Sequence, residues 1–187
     1  MPAPYESGLN ARIADLNRRR LPRHDPQDAM IRDLVSQRAT DACEYCLMPT
    51  HGKFEVEHIV PEARWLEYLA KQYPGLRPAE RLNLPDHDHI NNFAWSCFFC
   101  NRAKGGQKRS YKSTRLFDPR YDHWPKHFRF SRTKGYGVIL PLTTIGAHTI
   151  RTLKFHEGGP EGPLAERYAV TLDGKYPPAW LREAYGI

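Results

Sequence analysis

All four cysteines of this chain fall into two Cys-x-x-Cys pairs, Cys43/Cys46 and Cys97/Cys100. A single pair of this kind can be a redox motif or chance, but two pairs with no cysteine left over read as a four-cysteine zinc site. Zn–S bonds of about 2.3 Å draw both pairs to one point, so two segments far apart in sequence must fold against each other. Four thiolates also close the coordination sphere and leave the metal no position for substrate. Such a site is expected to be structural, and its removal to unfold the region it ties.

The alternative, a disulfide framework, belongs to exported proteins, and the N-terminus MPAPYESGLNARIADLNRRR has arginines with no apolar stretch after them. No apolar run approaches the length that crosses a bilayer, so a soluble, cytoplasmic protein without a membrane partner is expected. With 187 residues, 40% of them hydrophobic and 26% charged, the chain is long enough for one sizeable core. The formal net charge of +7 favours an anionic partner. Between Asn101 and Gly135 eleven Lys or Arg stand against two acids, a local +9, so the rest of the chain sums to −2. Tyr111, Phe117, Tyr121, Trp124, Phe128 and Phe130 interleave with these charges, as they do on phosphate-binding surfaces; the alternative is a solvated basic face.

Residues 1–24 read as a basic arm or short helix. Asp25 as N-cap with Pro26 at the first helical position predicts a helix to about Arg38, with Met30, Ile31, Leu34 and Val35 as its core stripe. Lys53 to Val60 alternates as a strand, and Glu62 to Gln72 reads as a helical segment. Leu76 to Asp88 reads as loop, and Asn92 to Ser96 leads into the second cysteine pair. A short helix over Cys100 to Lys104 should stop at Gly105 and Gly106. Two strands, His127 to Ser131 and Val138 to Leu140, flank a turn. Thr143 or Thr144 then caps a helix carrying Ile145, Ile150 and Leu153. Residues 158–187 are a linker and tail, with a turn of helix near Pro178 to Tyr185.

Glu57 and His58 put a carboxylate and an imidazole side by side at a strand end. A carboxylate is a hard ligand for Mg2+ or Mn2+, and a neutral imidazole can take a proton from water. Asn101, directly after Cys100, offers an amide oxygen. Each has a plainer alternative: a Glu-His pair on a strand is usually surface, and an Asn after a knuckle is often a helix cap.

Taken together, the segments CEYC (Cys43 to Cys46), VEHIVP (Val56 to Pro61), Asn92 five positions before Cys97, and CFFCNRAKG (Cys97 to Gly105) are similar to the HNH endonucleases. The resemblance implies a zinc-supported ββα-metal finger in which His58 is the general base, Asn92 the central Asn that orients it, and Asn101 a metal ligand with Glu57. TRLFDPRYDHWPKHFRF (Thr114 to Phe130) and LTTIGAHTIRTL (Leu142 to Leu153) resemble the tail of one bacterial HNH subgroup, so the likeness spans roughly Ile31 to Leu153. Where the family commonly has a short Gly-rich loop, Glu62 to Ile90 is long and carries Asp86-His87-Asp88-His89, read as turn and cap residues with a metal ligand as the alternative.

The expected fold is therefore α+β: one small domain over 25–157 built around that finger and a four-cysteine structural zinc, flanked by helices and a C-terminal β-hairpin plus helix. The expected activity is hydrolysis of DNA phosphodiesters, with a divalent ion on Glu57 and Asn101 and 5′-phosphate products. Arg102, Lys104, Lys108 and Arg109, leaving the second knuckle beside Asn101, are the first choices for backbone contacts. Such contacts do not distinguish sugars, so RNA stays open as substrate. One site cuts one strand, so double-strand cleavage would take two copies, as in a homodimer, or two encounters. The rival reading is a non-catalytic, zinc-stabilised nucleic-acid-binding module, and a protein-interaction scaffold on the zinc site leaves the clustered charge unexplained.

Overall fold

The computed structural model describes residues 25–49, 53–61, 64–65, 67, 88–105, 115–131, 137–157 and 179–186. The N-terminal arm, most of the expected 62–72 helix, the loop before Asp88, the basic loop that holds Lys108 and Arg109, and the 158–178 linker lie outside them. The elements are α1 (Ala29–Arg38), β1 (Phe54–His58), a 3-10 turn (Ile90–Asn92), β2 (Phe93–Cys97), α2 (Phe98–Gly105), α3 (Trp124–His127), β3 (Phe128–Phe130), β4 (Ile139–Pro141), α4 (Thr144–Thr152) and α5 (Ala179–Tyr185). This is a small α+β arrangement with two two-stranded sheets, β1-β2 and β3-β4. Among the described residues no helix is long and apolar enough to cross a membrane. The chain divides into two compact units, Met1–Arg38 with Val56–Ala94, and Ala39–Glu55 with Trp95–Ile187, so β1 and β2 each run through the division.

In the first unit α1 begins later than the sequence predicts. Asp28 rather than Asp25 caps it, its Oδ1 accepting from the Met30 and Ile31 amides at 2.8 and 3.3 Å. Asp25 instead closes a local turn by accepting from the Gln27 amide at 2.8 Å. Ile31, Leu34 and Val35 are buried at the expected spacing, but Met30 is 47% exposed, because it sits at the first turn on the outer side of the stripe. The helix ends on Arg38, whose guanidinium donates to the carbonyls of Ile90 and Phe93 at 3.2 and 2.6 Å. Those bonds tie α1 to the start of β2 and satisfy two buried carbonyls.

In the second unit β3 and β4 pair antiparallel, with Phe128 opposite Pro141 and Phe130 opposite Ile139. The aromatics that the sequence places among phosphate-facing charges are largely core. Phe117, Trp124 and Phe128 are buried, with Phe128 5.2 Å from Phe117, 5.1 Å from Trp124 and 6.0 Å from Phe155, ring centre to ring centre. Tyr121, 76% exposed, remains on the surface. Burying three such rings outweighs anything they would gain beside exposed charges.

Thr143 caps α4, accepting from the Gly146 amide at 3.1 Å. Of the three apolar residues expected to face the core here, only Leu153 is fully buried; Gly146, Thr149 and Thr152 make the packed face. The reason is close approach: a Cβ on Gly146 would lie 2.2 Å from the His127 carbonyl oxygen. Thr149 fits that tight face because its hydroxyl accepts from the Phe117 amide and donates to the Ile145 carbonyl, both at 2.8 Å. Near the C-terminus the Tyr185 hydroxyl donates to the Ala39 carbonyl at 3.1 Å, and Leu181 is buried.

Gly146→Ala is therefore expected to lower stability by about 1–3 kcal/mol, the usual cost of overpacking. Gly105→Ala, with nothing within 4 Å of the added carbon, should be neutral in the same urea titration.

Candidate functional site

Both cysteine pairs belong to the second unit and converge there. The first lies on a tight turn: the Cys43 amide donates to Met48 O at 2.7 Å and the Leu47 amide to Cys43 O at 2.8 Å, with Leu47 in the left-handed region at φ 57°. Ala42 and Pro49 bridge across its base. The second pair uses the junction of β2 and α2: Cys97 ends the strand, and the helical turn that follows brings Cys100 back, its amide 3.5 Å from Cys97 Sγ. All four cysteines are buried and unbridged, and their sulfurs lie within 4.8 Å of one another.

These residues suit a tetrahedral ion. Four sulfurs at about 2.3 Å from a centre stand about 3.8 Å apart, and Cys46 Sγ and Cys97 Sγ are 3.8 Å apart. The group can thus hold a metal such as zinc. Burial, followed by the neighbouring thiols of Cys43, Cys46 and Cys97, holds the Cys100 thiol well above its ordinary range. At Cys97 the hydrogen bond with Cys100 pulls downward, and the contacts with Cys43 and Cys46 together with burial outweigh it, so this thiol is high too. Clustered, desolvated thiols resist ionising together, and a cation at their centre removes that resistance.

The residues between and after the cysteines build a buried polar frame. Glu44, inside the first pair, is buried and exchanges two hydrogen bonds with the β2 backbone: its amide donates to Trp95 O at 3.0 Å, and its Oε2 accepts from the Trp95 amide at 2.9 Å. Arg120 pairs with its other oxygen. Trp124 Nε1 donates to Tyr45 O at 3.1 Å. Lys104, expected to contact nucleic acid, is instead buried; its ammonium donates to the Tyr45 hydroxyl at 3.3 Å and sits 5.5 Å from that ring's centre. The helical turn that places Cys100 inward also places Lys104, four residues on, on the same inner face. Arg102 points outward, its guanidinium 5.7 Å from the centre of the Phe98 ring.

His58 and Asn92 belong to the first unit. Asn92, buried on the 3-10 turn, presses its amide against one residue: Oδ1 accepts from the Val60 amide at 2.8 Å and Nδ2 donates to the Val60 carbonyl at 2.9 Å. It therefore fixes the backbone two residues beyond His58, and the contact to the imidazole comes from another residue, Asp88, whose Oδ1 lies 2.7 Å from His58 Nε2. His89, next in the same run, caps the turn, its Nδ1 accepting from the Asn91 amide at 3.2 Å. Asp86 and His87 lie outside the described residues.

Glu57 is buried in the first unit, and Asn101 lies in the second on α2, donating from Nδ2 to Glu55 Oε2. Glu55, assigned no role from the sequence, is exposed where Glu57 is buried. Among the described residues the four cysteines are the one group of three or more His, Cys, Asp or Glu placed to hold a metal.

Zinc uptake by this group must displace protons from the raised thiols. Apparent zinc affinity is expected to climb with pH between about 6 and 8, with proton release measurable by calorimetry in two buffers. Cys97→Ser should abolish stoichiometric binding. No protein-family model, curated protein or solved structure matches the chain.

Proposed function

We propose that this chain is a metal-dependent HNH-type endonuclease that hydrolyses DNA phosphodiesters, organised as a ββα-metal finger over β1, β2 and α2 and held by a structural zinc on Cys43, Cys46, Cys97 and Cys100. The observation that carries most weight is the Asn92 clamp. A buried Asn side chain satisfies both backbone groups of Val60, two residues past a partly exposed histidine, which is what a strand end built to hold a base in place requires.

In this reading His58 takes the proton of a water that attacks phosphorus, and the bond to the leaving oxygen breaks with that oxygen taking up a proton from solvent. Glu57, beside the base, supplies a hard oxygen for Mg2+ or Mn2+, and the motif CFFCNRAKG carries the assignment of Asn101 as a further ligand. Such an ion, when bound, neutralises charge developing on the phosphate and leaving oxygens. Outside this chemistry, Arg102 offers an outward guanidinium for the phosphate backbone.

Supercoiled plasmid with Mg2+ or Mn2+ should be nicked by the wild type and cut at least about 100-fold more slowly by His58→Ala at equal zinc content. Binding without cleavage by either would instead favour the zinc-stabilised binding module. Binding to plasmid should weaken steeply with salt, and Arg102→Ala should reduce the slope of log affinity against log salt by about 1.

A further inference from the structure

We propose that Asp88 is the positioning residue of His58, fixing its imidazole as the Nε2–H tautomer and so making Nδ1 the nitrogen that takes the proton from water. The catalytic half of this inference rests on the endonuclease reading; the tautomer half does not.

A carboxylate has only acceptor sites to offer. With Asp88 Oδ1 2.7 Å from His58 Nε2, the nitrogen facing it must carry the hydrogen, and in a neutral ring the other nitrogen then holds the lone pair. The ring has a second support. Phe93, fully buried at the start of β2, meets the imidazole edge-on with ring centres 5.1 Å apart at 74°. Three residues of one short stretch thus act on the same strand end: Asp88 on the ring nitrogen, Phe93 on the ring edge and Asn92 on the Val60 backbone.

That stretch is anchored from its far side, because Arg38 donates to the carbonyls of both Ile90 and Phe93. The pair is also partly screened from water, with side-chain exposures of 27% for His58 and 17% for Asp88. When Nδ1 accepts the water proton, the imidazolium that forms keeps its Nε2–H on Asp88, so the new positive charge arises beside a carboxylate already in place. No proton moves to Asp88 in this step. The long segment between the His and the central Asn, where the family's pattern has a short loop, would thereby contribute the base's partner.

The test uses the zinc-loaded full chain, labelled with 15N, without DNA or added magnesium. Two-bond proton–nitrogen spectra report which nitrogen of His58 is protonated, the signal being assigned by its loss in His58→Ala. The wild type is expected to show the Nε2–H form alone, and Asp88→Ala a mixture of tautomers. In the nicking assay Asp88→Ala should lower kcat by about 10- to 100-fold, the range in which an orienting partner of an imidazole acts, with KM for plasmid unchanged. Asp88→Asn, of the same size, guards against misfolding: it should keep zinc content and melting temperature while also losing kcat. An Nδ1–H signal in the wild type, or an unchanged tautomer in Asp88→Ala, overturns the proposal even if the protein cuts no DNA. A fixed tautomer with undiminished kcat in both variants overturns its catalytic half.

Discussion

The second unit depends on four thiols being forced into one small volume. Left as thiols they are a poor core: buried and mutually crowding, with Cys97 and Cys100 reluctant to ionise. Around them lie a left-handed Leu47, a Glu44 turned inward onto the β2 backbone, and a half-buried Arg120. Buried charges of this kind are tolerated where partners are fixed by their surroundings, and here Glu44 of the first knuckle is held by the Trp95 backbone and by Arg120.

Charge after the second cysteine pair is sorted by position on its element: most of the described cations stay on the surface and one turns inward. Eleven cations lie between Asn101 and Gly135; among the described ones Lys104 lies inside, while Arg102, Arg115, Lys126 and Arg129 are exposed, Arg115 in a pair with Asp122. Beside that pair, burial pushes the Asp122 carboxyl upward, and Arg115, the Asp118 amide and His127 outweigh it, so the group stays below the usual carboxylate range. The aromatics between them follow the same rule. Helical and strand periodicity decide which side chains turn inward, and sequence neighbourhood to a basic residue does not override it.

Patterns set by local chemistry were readable before any coordinates. The cysteine pairing, the strand at Glu57, the hairpin of β3 and β4, the Thr143 cap and the short final helix all follow from spacing, capping and alternation over a few residues. What escaped was set by contacts across the chain. Asp25 reads as the cap on paper, whereas Asp28 takes that role by accepting from the Met30 and Ile31 amides. Nothing local marks Gly146, whereas the approach of the His127 carbonyl makes it a point of close packing. Asp88, in a run that reads as turn residues, meets His58 because the chain returns thirty positions later, a juxtaposition no local pattern encodes.

The Asn92 amide also bears on what the end of β1 can do with other chains. In an extended strand one residue's N–H and C=O point to the same side, and an adjoining strand would take both. A side-chain amide carries the same donor and acceptor as a peptide group, and Asn92 fills both sites on Val60. Val60 lies in the bend just past β1, and with both its backbone groups taken by one side chain that residue has no peptide group to offer another chain.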